Sequence, residues 1–221
     1  MGGSRIKHAV TDEAIAERRL AIVNHTAAII SNSGVDGCSF AAVSEASGFS
    51  IGMIQHYFRT RDRLILATID HRIHEAEEEW REIASRGANA LAKIRDLLTF
   101  SVEGDRSFAD AWGFWLELYA ASHKDPAMRQ EVNTILELWR KFFLDVLEEA
   151  VAEGSINPVH DPEDAARLLL AVVDGLAIQT VNGTYGSSPE DMRRLLYRFA
   201  AAELGVDTSA WESTLACAAE H

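Results

Sequence analysis

Long apolar runs and cysteines are scarce in this 221-residue chain, and each scarcity closes off a class of protein. No apolar stretch approaches the roughly 18 residues that a transmembrane helix needs. Arg5 and Lys7 open the N-terminus with no apolar segment behind them, so no signal peptide is expected and a cytoplasmic location is. The two cysteines, Cys38 and Cys217, lie far apart in sequence and read as free thiols, not as a disulfide framework. A Gly-rich phosphate loop, a Cys-x-x-Cys pair and a recognisable nucleophile–base set are all missing. No catalytic residue, cofactor or metal is therefore expected. Strand-like alternation persists nowhere, and there are no repeats or low-complexity segments. Helical periodicity runs through nearly all of the chain, which predicts an all-α fold. The composition, 48% hydrophobic and 25% charged, is that of an ordinary globular protein of one or two domains.

Positive charge is also in short supply, with 21 Lys and Arg against 34 Asp and Glu and a net charge of −13. The deficit is unevenly placed. Residues 1–63 hold seven basic and six acidic residues, a balance of +1, so the rest of the chain carries −14. An acidic body would repel nucleic acid everywhere except through a near-neutral N-terminal face.

That N-terminal segment contains the most informative stretch, Ser39 to Arg63. Ser39 is placed to cap a short helix, in which Phe40, Val43 and Ala46 give a docking stripe. Gly48 falls where a tight turn needs a positive φ. Ser50 caps a second short helix, and Thr60 caps a third that runs to about Ser85. This is the pattern of a helix-turn-helix, whose second helix enters the DNA major groove. Gly52 is costly inside a helix, which suggests that a backbone must approach something closely there. Gln55 could read a base edge, most naturally adenine. Ser39, Tyr57, Thr60 and Arg61 suit phosphate contacts. Ile51, Ile54 and Phe58 read as packing residues. The helix before this segment is expected over about Asp12–Ser31, with Ile15, Ala16, Leu20, Val23, Ala27 and Ile30 inward and Gly34 and Gly37 ending it.

Arg19, Ile22, Ala28, Ile30, Gly34, the Phe40–Val43 and Glu45–Gly48 runs, Ser50, Gly52, His56-Tyr57-Phe58 and Leu64 together resemble the N-terminal domain of TetR-family transcriptional regulators. The resemblance implies a DNA-binding domain at 1–59 and an effector-binding and dimerisation domain at 60–221. It also implies that Ser50, Gly52, Met53, Gln55, His56, Tyr57 and Arg61 occupy DNA-touching positions. Met53, Gln55 and Arg61 depart from the family's usual small polar residue, Tyr and Lys. Gln55-His56-Tyr57-Phe58 with Leu64 and Ala67-Thr68, the Trp112-x-x-Trp115 pair and Asp174-Gly175-Leu176 are similar to the choline-responsive BetI type, with the effector left open. What the resemblance implies is a repressor released from a palindromic double-stranded operator by a small molecule, with no membrane partner.

Beyond residue 85 the expected helices are 89–103, 107–122, 125–153, 161–182 and 188–205. Asp125, Asp161 and Ser188 are each followed by proline, a cap with Pro at the first helical position. Ser209-x-x-Glu212 reads as a capping box for a short terminal helix. Trp112, Trp115 and Tyr119 recur at helical spacing with Glu117 and His123 nearby, and Trp139, Phe142 and Phe143 form a second aromatic group. Such stripes can be solid core or a ligand cavity. The resemblance favours a cavity, with Trp112, Trp115, Glu117, Tyr119, His123, Trp139, Phe143 and Asp174 as candidates. Asp174 interrupts an otherwise apolar helix and needs a partner if buried. The 161–182 helix is apolar on most of its circumference. It and the 188–205 helix could form monomer core or a four-helix dimer interface. The resemblance implies a homodimer, through Leu168, Val172, Leu176, Leu195 and Phe199. A rival reading is a metal-binding or catalytic bundle, since His71, His74, Glu75 and Glu78 share one helical face.

Overall fold

A computed structural model describes residues 12–104 and 106–207, so the Ser209-x-x-Glu212 capping box lies outside the described residues. The described residues form nine α-helices and a single 3-10 turn, with no strand among them. They divide into two compact units after Arg72.

The first unit contains α1 (Asp12–Gly37), α2 (Phe40–Ser47), α3 (Ile51–Phe58) and the start of α4 (Arg61–Arg86). Each cap in the helix-turn-helix does what its residue type dictates. Ser39 accepts from the Ala42 amide at 3.1 Å, Ser50 from Met53 at 3.3 Å, and Thr60 from Arg63 at 3.2 Å. Gly48 closes α2 in the left-handed region with φ 73°. Two serines tighten the turn that follows, Ser44 donating to Phe49 O at 2.7 Å and Ser47 to Val43 O at 2.6 Å.

The first helix runs a little past Ser31 and breaks at Gly34 as expected, with a φ of 72° and ψ of 170° that only glycine tolerates easily, before a last turn to Gly37. Two expectations here need correction. The buried stripe of α1 is Ile22, Val23, Thr26, Ala27 and Ile30, whereas Leu20 is 45% exposed and Ala16 is open. Thr26 is accommodated in this core by donating to Ile22 O at 2.8 Å. On α2, Val43 is buried but Ala46 is exposed, because an eight-residue helix turns only one narrow face inward.

The second unit holds the rest of α4, α5 (Ala90–Glu103), α6 (Phe108–Lys124), α7 (Pro126–Ala152), α8 (Pro162–Val181), the turn Thr184–Gly186 and α9 (Pro189–Leu204). Helix α7 packs against α5, α6 and α8, and α9 packs against α5 and α8. Asp125, Asp161 and Ser188 cap their helices through the side chain, each with Pro at the first position, and Ser188 and Asp191 form a reciprocal capping box. Phe114, Leu118, Phe143, Leu147, Leu169 and Leu196 are among its fully buried side chains. The α7–α8 loop is tied down by two backbone bonds, Asn157 N–H to Leu204 O at 2.9 Å and Val159 N–H to Glu203 O at 2.7 Å. No helix among the described residues is long and apolar enough to cross a membrane.

Candidate functional site

In the first unit, α3 offers an open face. Ile54 and Phe58 are buried at 0% and 3%, which fixes the opposite side of the helix outward. Ser50, Gly52, Gln55 and His56 are exposed there, and Met53 and Tyr57 are half-buried. Ile51, read above as a packing residue, is 43% exposed and joins this face one turn from Gln55. A Cβ built on Gly52 meets nothing within 4 Å, so nothing in the chain itself requires a glycine there. Ser39 and Thr60 are exposed at the starts of α2 and α4. Arg61 is different. Its Nε donates to Cys38 O at 2.5 Å and a terminal nitrogen donates to Val35 O, so two guanidinium nitrogens are engaged by the chain itself while the side chain stays 38% exposed. Burial pushes the neighbouring Cys38 thiol up from its ordinary range, with the charge of Arg61 acting the other way.

In the second unit an aromatic cluster joins three helices. Trp115 of α6 meets Trp139 of α7 edge to face at 4.8 Å between ring centres. Trp139 in turn meets Trp80 of α4 at 5.9 Å, and Trp80 meets Phe142 at 4.8 Å. The sequence had marked Trp115, Trp139 and Phe142 but not Trp80, because the Glu75–Glu79 run around it reads as solvated. Trp80 is only 6% exposed. Phe143 is buried on α7. Trp112 is buried beside Phe108 and donates its indole N–H to Ser101 O at 2.9 Å, a bond that ties α6 to α5.

One turn along α6 from Trp115, the Tyr119 hydroxyl donates to Asp174 Oδ1 of α8 at 3.5 Å. Desolvation pushes the Asp174 carboxyl up to about 6, against the opposing pull of the Tyr119 hydrogen bond. Tyr119 is pushed up too, by burial first and then by the adjacent carboxylate. Glu117 is half-buried on α6. His123 is exposed at the end of α6, where its backbone carbonyl accepts from Arg129 at 2.8 Å. An open groove of about 490 Å³ follows the first turns of α7, from Pro126 to Glu137, and none of the sequence-derived ligand candidates lines it.

The rival metal reading finds no support in its ligands. Glu75 is paired with Arg106 at 2.6 Å, and no group of three or more His, Cys, Asp or Glu converges among the described residues.

On α8 and α9 the inner residues Leu169, Val173, Ala177, Leu196 and Ala200 are buried within the chain. Leu168, Val172, Leu176 and Phe199 are half-buried, and Leu195 is 39% exposed. Ile178, Val181 and Tyr185 extend this apolar exposure toward the α8–α9 turn.

A helix-turn-helix followed by a larger helical unit is the architecture of a DNA-binding transcription regulator, and comparison with known proteins gives the family. The family described as BetI-type transcriptional repressor, C-terminal, matches residues 90–205. The HTH-type transcriptional regulator BetI of Paraburkholderia phymatum is 28% identical over 183 residues, covering 81% of this chain and 87% of that protein. A TetR-family regulator from a Rhodococcus species is 26% identical with a TM-score of 0.74, covering 86% of this chain and 99% of the other. A transcriptional regulator from Saccharomonospora viridis, solved in complex with choline, shares the fold with a TM-score of 0.78 at 21% identity, over 86% of this chain and 98% of that one. The chain belongs to the BetI-type branch of the TetR family. It is a DNA-binding transcriptional regulator and not an enzyme.

Proposed function

We propose that this regulator is a homodimeric repressor that leaves a palindromic operator when an organic cation binds between α6, α7 and α8. Residues 1–59 carry the DNA face, with Ser39, Ser50, Gly52, Met53, Gln55, His56 and Tyr57 toward the duplex, joined by Thr60 at the boundary. Residues 60–221 carry the effector site and the dimer contact. Two recognition helices related by a two-fold axis suit half-sites about one helical turn apart. The half-buried apolar face of Leu168, Val172, Leu176, Leu195 and Phe199 supports pairing of α8 and α9 with a second copy.

The observation that carries the effector class is Asp174. A half-buried carboxylate whose hydrogen bond is to a phenol hydroxyl costs free energy until a positive charge joins it. Trp115 lies one turn from Tyr119 on α6, and Trp139 packs edge to face on Trp115, which supplies aromatic rings on the helices next to α8. An amine or quaternary ammonium fits this set, in line with the choline held by the Saccharomonospora viridis regulator. His123 and Trp112 contribute less to such a site than their spacing suggested, one being exposed and the other bonded to Ser101. The ligand must favour the DNA-incompetent state, and a tenfold loss of operator affinity needs about 1.4 kcal/mol of coupling.

The test is a pair of titrations followed by tryptophan fluorescence and by operator binding. Choline should quench the tryptophans and release a DNA duplex chosen from a random pool. Its uncharged isostere 3,3-dimethylbutanol should do neither. Equal binding of the two would remove the cation reading, and a pool that yields no palindrome would remove the operator reading.

A further inference from the structure

Arg61 stands at the first position of α4, where its charge suggests a phosphate contact, yet two of its three guanidinium nitrogens are bonded to the corner between α1 and α2. Nε donates to Cys38 O at 2.5 Å and a terminal nitrogen to Val35 O, 23 and 26 residues away in sequence. The other terminal nitrogen lies 3.8 Å from Asp62 Oδ1. The planar fork of a guanidinium can hold two carbonyls at once, whereas a lysine ammonium is a point charge without that geometry.

Arg19 makes a matching bridge from the same helix, α1, to the recognition helix. It donates to Tyr57 O at 3.0 Å and its guanidinium carbon sits 4.8 Å from the centre of the Phe58 ring. Tyr57 O is one of the last carbonyls of α3, which have no partner inside the helix. Between the two bridges the chain passes through Arg59, with φ 66° and ψ −54°, closed by Thr60 N–H to Phe58 O at 2.7 Å. This is a γ-turn of the strained hand at a residue with a Cβ. Such a turn persists only where its surroundings hold it.

We propose that Arg61 and Arg19 are positioning residues that lock the recognition helix to α1 on either side of the Arg59 turn, and that Arg61 is not a phosphate anchor. The proposal rests on the DNA-binding reading of α3. A helix of eight residues docked through Ile54 and Phe58 has few contacts of its own to set its tilt, so one bridge fixes its C-terminal end to α1 and the other fixes the start of α4 to the α1–α2 corner.

The full-length protein is tested as wild type, Arg61→Lys, Arg61→Ala and Arg19→Ala, by fluorescence anisotropy on the selected operator at several salt concentrations. Amide exchange without DNA is measured alongside. All three variants should weaken operator binding by about tenfold or more, since a tilted helix loses several base contacts. The slope of log affinity against log salt should stay at the wild-type value in the Arg61 variants. Exchange of the Cys38 amide, which bonds to Val35 O at 3.2 Å, should speed up in both. A phosphate anchor gives the opposite pattern, with Arg61→Lys near wild type and Arg61→Ala lowering the salt slope by about one unit. That pattern, or unchanged Cys38 exchange, overturns the proposal. If Arg61→Ala unfolds the first unit, Arg61→Lys decides by the same criteria. If the wild-type chain selects no operator, the DNA reading fails on its own, and amide exchange still judges the clamp.

Discussion

The hydroxyl of Tyr119 on α6 donates to the Asp174 carboxylate on α8 at 3.5 Å, a long bond that leaves most of the carboxylate's capacity free. Desolvation raises Asp174 to about 6, above the 3.9 or so of an unfolded chain. The folded protein therefore holds this proton more tightly than the unfolded one. The group's contribution is most favourable below about pH 4 and is lost as pH rises through about 6.

Asp174→Asn should accordingly stabilise the ligand-free protein at pH 7 by on the order of 2 kcal/mol after allowance for partial exposure, and raise its melting temperature. The gain should vanish at pH 4, where Asp174 is already neutral. Choline affinity should fall in the variant, and in the wild type as pH drops below about 6. Thermal melts and titrations at pH 4, 5.5 and 7 check both halves.

Gly52→Ala separates folding from recognition. A methyl there meets no atom of the chain within 4 Å, and alanine favours the helix by about 0.5–1 kcal/mol. The first unit should become more stable while operator affinity drops about tenfold through loss of close approach. A variant that binds as well as wild type would show that the backbone at Gly52 stands clear of DNA.

Gln55→Ala should relax base preference at one position per half-site by about 1–3 kcal/mol, leaving the salt slope unchanged. Selection profiles of the two proteins on a random pool measure this directly.

Leu195 and Leu196 are chain neighbours on α9 with opposite surroundings, one 39% exposed and the other fully buried. Leu195→Lys should convert a dimer to a monomer with little change in the fold of each chain. Leu196→Ala should instead cost about 2–5 kcal/mol of stability. Sedimentation and denaturant unfolding distinguish them, and a wild type that sediments as a monomer at micromolar concentration would end the dimer reading.

Trp139→Ala removes the ring shared by Trp80 and Trp115 and should cost about 3–5 kcal/mol. Choline quenching should be lost with it. Operator binding at a temperature where the variant is folded should persist.

Features set by local chemistry were legible before the structure. Ser39, Ser50, Thr60, Ser107, Asp125, Asp161 and Ser188 cap their helices because a short polar side chain satisfies amides two or three residues on. Periodicity showed which residues share a stripe but not how far a neighbour covers it, so Leu20, Ala46 and Ile51 were placed inward and lie outward. Trp80 was hidden by the acidic residues around it. The bonds of Arg61 were not legible for another reason: its partners are backbone carbonyls, and a carbonyl has no letter in the sequence. His160 and Glu203 meet at 3.0 Å across 43 residues, an ion-pair geometry that no spacing announces.

The α7–α8 loop is laced to the last turn of α9, through Asn157 to Leu204 and Val159 to Glu203, while Thr180 and Ser187 meet at 3.1 Å across the opposite end of the α8–α9 hairpin. Bonds at both ends of the hairpin oppose scissoring and sliding, which would make it a stiff chassis and leave compliance within the second unit to α6 and α7, whose link at Asp125 is one residue long. A guest between those helices would therefore do its mechanical work on them, with the chassis as the fixed point against which they push.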